Sequence, residues 1–174
     1  MKNTFNMIYI YTRNKSEPLY EFLESKIDKE FLEIHEGIEN LKKKKDNDYF
    51  GQTLIIFDDL CLQKDQTSIE EMYIRGRKIA NGISLCYLSQ SFFKIPSTIR
   101  QQSQYIFLKK IPNVRNIKLL LSEYSLNASR EQILAMYQYS IQGDILSFLM
   151  IDLESTSNLT YRKGFNEILN YSAF

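Results

Sequence analysis

Short apolar runs alternate with longer amphipathic stretches along this chain, and the alternation sets the first expectations. Residues 5–11, Phe-Asn-Met-Ile-Tyr-Ile-Tyr, are β-branched and aromatic and predict a strand that stops at Thr12-Arg13-Asn14. Ser16 is placed to cap a helix opened by Glu17-Pro18, with Leu19, Phe22, Leu23 and Ile27 at helical spacing. A short strand is expected around 32–35. The run Lys-Lys-Lys-Lys-Asp-Asn-Asp at 42–48 has no apolar period and predicts a solvated loop. Clearest of all is Thr53-Leu54-Ile55-Ile56-Phe57, whose apolar side chains on both faces suit the interior of a parallel sheet covered on two sides.

A helix is expected over 67–80, ended at Gly82. A buried strand over 83–88 closes at Ser89-Gln90-Ser91, Pro96-Ser97-Thr98 restarts a helix, and 105–108 reads as a further strand. Helices follow at 113–123 and 129–141, the second capped by Ser129, then a strand at 148–152 and a terminal helix at 164–171. Strands separated by helices imply β-α-β units. The expected architecture is α/β, a mostly parallel sheet with helices on both faces, in a single domain spanning 1–174.

Composition trims the functional classes. With 44% hydrophobic and 25% charged residues the chain is ordinary globular protein. Its 22 Lys+Arg against 21 Asp+Glu exclude binding to nucleic acid by overall basicity and leave a local basic face open. Cys61, Cys86 and the lone His35 are too few for a disulfide scaffold, for a zinc site of Cys and His, or for a Ser-His-Asp triad with supporting motifs. His35 is expected to pack at a strand end. No apolar run reaches the roughly 18–20 residues of a membrane span, and the N-terminus lacks a signal peptide's apolar stretch, so an intracellular protein without a membrane span is expected.

Chemistry concentrates where buried strands end. Leu54-Ile55-Ile56-Phe57-Asp58-Asp59 discharges two carboxylates at the tip of the clearest strand. In an open α/β sheet such tips border the ligand crevice, where an acidic pair can hold a hard cation such as Mg²⁺ and polarise a water. A plain Asp-rich turn has the same sequence. Gln90, just beyond the next strand, would share that rim and offers both a donor and an acceptor. Between them Tyr73-Ile74-Arg75-Gly76-Arg77-Lys78 is densely cationic, fit to clamp phosphoryl oxygens or simply to complement a helix C-terminus.

Those blocks, with Ile83-Ser84-Leu85-Cys86-Tyr87-Leu88-Ser89-Gln90-Ser91-Phe92-Phe93-Lys94-Ile95-Pro96-Ser97-Thr98-Ile99-Arg100, resemble the poxvirus-type DNA-packaging ATPases of the FtsK–HerA superfamily of P-loop motors. The likeness continues through 105–110, 134–137 and 148–152. It implies that 54–59 is the Walker B strand, with Asp58 holding Mg²⁺ through its water shell and Asp59 orienting the attacking water. Gln90 would be a polar sensor, and Arg75 or Arg77 an arginine finger reaching a neighbouring subunit's ATP in a homo-oligomeric ring. Lys94 and Arg100 would face double-stranded DNA, and capsid or portal proteins would be further partners; Lys109 and Lys110, placed after a strand, are expected to line a DNA-facing or nucleotide-facing rim.

One family element is missing. The glycines are Gly37, Gly51, Gly76, Gly82, Gly143 and Gly164, and none begins or ends a Gly-x-x-x-x-Gly-Lys-Ser/Thr loop. The resemblance therefore implies a P-loop NTPase core without its first strand and P-loop, with two interior sheet edges left unpaired, one of them on the strand that carries Gln90. A fragment, a split motor completed by a chain supplying the P-loop, and a degenerate DNA- or protein-binding relative all fit. Efficient ATP hydrolysis by these residues alone is not expected.

Overall fold

A computed structural model describes residues 4–49, 51–79, 82–124, 128–155 and 160–174. Two compact units divide the chain, Met1–Gln102 and Ser103–Phe174. In the first, β1 (Met7–Thr12), α1 (Pro18–Lys26) and β2 (Leu32–Glu36) form one β-α-β unit. A short α2 (Glu39–Lys43) leads to β3 (Thr53–Asp58), then α3 (Thr67–Arg75), β4 (Ile83–Leu88) and α4 (Ser97–Gln102). All four strands are parallel, in the order β2-β1-β3-β4. The register aligns their carboxyl ends: Thr12 lies opposite Asp58, and Asp58 opposite Leu88.

Helices cover both faces of this sheet, unequally. Alternate residues of β3, Thr53, Ile55 and Phe57, point into the larger core with Tyr9, Tyr11, Ile69, Met72 and Ile99. Phe57 is fully buried and stacks on Tyr11 with ring centroids 5.7 Å apart. Burying a side chain of that size is worth about 1.5–3 kcal/mol over leaving it in water. On the other face α1 brings Tyr20, Leu23 and Ile27 onto Ile10, Leu32 and Ile56.

The second unit departs from expectation. Its β5 (Tyr105–Leu108), β6 (Leu149–Asp152), β7 (Tyr161–Lys163) and β8 (Glu167–Ile168) form an antiparallel sheet in that order, with α5 (Val114–Glu123) and α6 (Arg130–Ser140) between β5 and β6. No helix covers 164–171. Gly164 adopts φ +61°, which reverses the chain after β7, and Leu169 N–H continues the pairing by donating to the Tyr161 carbonyl at 2.9 Å. Ser129 does cap α6, and Gln132 completes a capping box.

Smaller corrections follow local geometry. Glu17, not Ser16, is the N-cap of α1, while the Ser16 N–H is taken by the Asn14 side chain. The lysine run is not all loop: residues 42 and 43 finish α2, whose C-terminus favours cations. Helix α3 stops at Arg75 and tightens into a 3-10 turn over Gly76–Lys78; position 80 lies outside the described residues, and Gly82 has φ +93°. Among the described residues β4 is bonded only to β3, and β5 only to β6, so each is the edge of its sheet. No helix among them is long and apolar enough to cross a membrane.

Candidate functional site

Strand β3 ends in Asp58 because its buried alternation stops there and the chain emerges at the sheet's carboxyl rim. The carboxylate is held by a side chain from the covering helix. Tyr20 is the one buried residue of α1, and its hydroxyl donates to Asp58 Oδ2 at 2.5 Å. The Thr12 hydroxyl, at the tip of the neighbouring β1, lies 3.0 Å from the same phenol oxygen. Burial and then the Asp58 bond push the Tyr20 phenol up to about 12. Behind Asp58, burial and the Asp58 charge also push the Cys86 thiol up.

Asp59 follows in the left-handed conformation, φ 52° and ψ 31°, a region Asp tolerates better than most residues. Its N–H donates to the Leu88 carbonyl at 3.2 Å, prolonging the β3–β4 ladder by one bond. Its Oδ1 accepts from the Cys61 thiol at 3.7 Å. Asp59 also lines a small open cavity of about 160 Å³ with Arg13, Leu60, Leu62 and Gln63. Gln90, two residues beyond Leu88, is exposed at this same end, where Ser89 and Ser91 close a tight side-chain turn. The structure thus gathers Asp58, Asp59 and Gln90 at one rim.

Arg75 and Arg77 are not gathered there. Helix α3 runs back along the sheet, so they emerge near the start of β4, where Gly76 abuts Leu85. The exposed Arg75 pairs with Asp46, Nη1 to Oδ2 at 3.1 Å, in the segment before β3. Lys94 is exposed in a 3-10 turn, and the Arg100 guanidinium lies 4.8 Å from the Phe92 ring centre. Lys109 and Lys110 are exposed after β5, in the other unit. In the lysine run Lys42 reaches Glu39 and Asp65, while Lys44 sits 4.2 Å from the Tyr9 ring centre. His35 stacks on Tyr11 and bonds Glu33 at 2.9 Å, a packed strand residue.

Pattern reading missed Tyr20, Thr12 and Arg13. Parallel register was the available signal for Thr12 and Arg13, since β1 and β3 end level; nothing in the spacing distinguishes Tyr20 from other tyrosines.

Mg²⁺ characteristically takes one or two carboxylates and fills its octahedron with waters and phosphate oxygens. Asp58, with Oδ2 engaged and no partner on Oδ1 among the described residues, fits that demand. A cage of three or more His, Cys, Asp or Glu is not offered among them. The triphosphate fits less well, because the loops that follow β3 and β4, residues 59–66 and 89–96, contain no glycine to cradle it.

Comparisons agree with this architecture. The profile of the family described as "Poxvirus A32 protein" matches residues 6–146. The fold matches the genome packaging NTPase B204 of Sulfolobus turreted icosahedral virus 2 in complex with ATP-gammaS: TM-score 0.59 and 18% identity over 87% of this chain and 80% of that one. A complex of B204 with AMPPCP gives TM-score 0.58 and 17% identity over the same 87% and 80%. B204 described as the DNA-packaging ATPase of Sulfolobus turreted icosahedral virus gives 0.59 and 19%, again over 87% and 80%. No curated protein sequence matches the chain. At such identities the structures establish the fold, and the profile, spanning both the acidic rim and most of the second unit, establishes kinship: the chain belongs to the poxvirus A32 family of viral genome-packaging ATPases.

Proposed function

We propose that this chain couples ATP hydrolysis to the movement of double-stranded DNA into a capsid, inside the infected cell, as a subunit of a homo-oligomeric ring. The carrying observation is the acidic tip of β3 beside Thr12 and Gln90 at the carboxyl rim of a parallel sheet, in a chain of this family. Asp58 holds Mg²⁺ through Oδ1 or its water shell. Asp59 orients and deprotonates the attacking water, and Gln90 bonds that water or a phosphate oxygen. Arg75 or Arg77, at the opposite end of the sheet, acts on a neighbouring subunit's nucleotide. Exposed Lys94, Lys109 and Lys110 meet DNA phosphates, while Arg100, stacked on Phe92, steadies the turn that carries Lys94. Portal or capsid proteins are the partners that anchor such a ring.

The phosphate cradle comes from a strand and Gly-rich loop outside these 174 residues, laid parallel on the open edge of β4. The test is a titration with a fluorescent ATP analogue and Mg²⁺, on the chain alone and with a polypeptide bearing a strand and a Gly-x-x-x-x-Gly-Lys-Ser/Thr loop. Saturable binding that the added polypeptide strengthens and Asp58→Ala weakens is expected. Absence of binding in both mixtures up to millimolar nucleotide sinks the proposal.

A further inference from the structure

We infer that Tyr20 is a positioning residue for Asp58, engaging one carboxylate oxygen so that the other is the single oxygen offered to a divalent cation. This rests on the reading of Asp58 as the cation-binding residue. A phenol has one proton, and the 2.5 Å separation from Asp58 Oδ2 assigns it to the carboxylate, as a charge-assisted bond. The Thr12 hydroxyl, 3.0 Å away, then donates to the phenol oxygen, giving a directed chain Thr12 to Tyr20 to Asp58 in which each bond polarises the next.

Packing alone does not account for the hydroxyl. Tyr20 is 2% exposed, and Phe would fill the same space against Ile10 and Leu32. The neighbours of Tyr20 on α1, Leu19 and Phe22, are more than half exposed, so this helix sends one side chain fully inward, and its polar tip ends between two strand tips. A carboxylate on a strand terminus rotates freely about its Cα–Cβ and Cβ–Cγ bonds unless something holds it. Outer partners of this kind orient metal-binding groups and typically govern affinity by about 10–100-fold.

The experiment measures Mn²⁺ binding by electron paramagnetic resonance for the intact chain, Asp58→Asn, Tyr20→Phe, Thr12→Val and the Asp58→Asn/Tyr20→Phe pair, with thermal midpoints taken without metal. Tyr20→Phe is expected to weaken Mn²⁺ about tenfold or more, and Thr12→Val by less in the same direction. Asp58→Asn should remove the site, and Tyr20→Phe should lower the metal-free thermal midpoint less in that background than in the parent, which a general loss of packing would not produce. If Tyr20→Phe binds Mn²⁺ like the parent while Asp58→Asn does not, positioning by Tyr20 is overturned and the role of Asp58 stands. If Asp58→Asn binds like the parent, both fall. Should Tyr20→Phe misfold, unchanged binding by Thr12→Val overturns the relay.

Discussion

At the carboxyl end of the parallel sheet, Asp58 ends a strand held in register and Asp59 follows it, one braced by Tyr20 and the other bonded through its backbone to Leu88. At the amino end, Arg75 and Arg77 ride on the 3-10 finish of α3, and Arg75 pairs with the exposed carboxylate of Asp46. The difference is topological. A helix that joins two parallel strands must run back along them, so what it carries at its end is separated from the strand tips by the length of β4, about 20 Å for six residues at ~3.3 Å each. No side chain spans that gap. In the ring proposed above, acid and base of one chain would therefore serve different nucleotides, each acidic rim meeting its neighbour's arginines.

The comparison breaks most visibly in mixed rings. Arg75→Ala combined with Arg77→Ala should cut ATP turnover of the assembled motor by about 10³–10⁵-fold, and Asp58→Asn should silence it too. Mixing the two defective subunits should restore part of the activity, because some interfaces then pair an intact acid with an intact arginine. Mixed rings as inactive as their parents would mean that the two ends do not meet. Within the acidic end, Asp59→Asn should slow turnover by roughly 10²–10⁴-fold while melting normally, since Asn also accepts the left-handed backbone. Asp59→Ala should slow it as much and melt lower.

Stability should divide the same way. Phe57→Ala, directly beneath the acids, is expected to cost about 3–5 kcal/mol in urea unfolding, whereas Ile74→Ala, 56% exposed beside the arginines, should stay within about 0.5 kcal/mol. Around Phe57, burial raises the phenols of Tyr11, Tyr73 and Tyr87 above their ordinary 10.0. Above that pH the unfolded chain loses protons that the folded one keeps. Their stabilisation is therefore full below pH 10 and is lost as pH climbs past it, which unfolding midpoints at pH 8.5 and 10.5 should register as a fall. Asp46→Ala should likewise change stability by no more than about 0–1 kcal/mol, as exposed ion pairs do.

The parallel half was legible because β1, β3 and β4 each carry four or five consecutive apolar residues, and such runs announce sheet strands even where, as in β4, none of the residues is fully buried. The antiparallel half was not. Strands β7 and β8 are three and two residues long, too short to show a period of two, and their pairing hangs on the backbone sign of Gly164. The same contrast holds at the site. Asp58, Asp59 and Gln90 could be named because each follows an apolar run, but Tyr20 meets Asp58 across 38 residues of sequence, a contact only the fold creates. Lys44 and Arg100 read as surface cations, and each instead lies over an aromatic ring that no linear pattern places beneath it.

The bare edge of β4 also governs how this protein should behave in the tube. Among the described residues no strand lies on the outer side of this six-residue strand, which ends at the exposed Leu88, and its outward-facing donors and acceptors invite any extended segment that drifts by. Light scattering from concentrated solutions should therefore rise with time and protein concentration. A short β-strand peptide able to cap that edge should quiet it, which makes colloidal stability a cheap assay for the strand proposed to lie on β4.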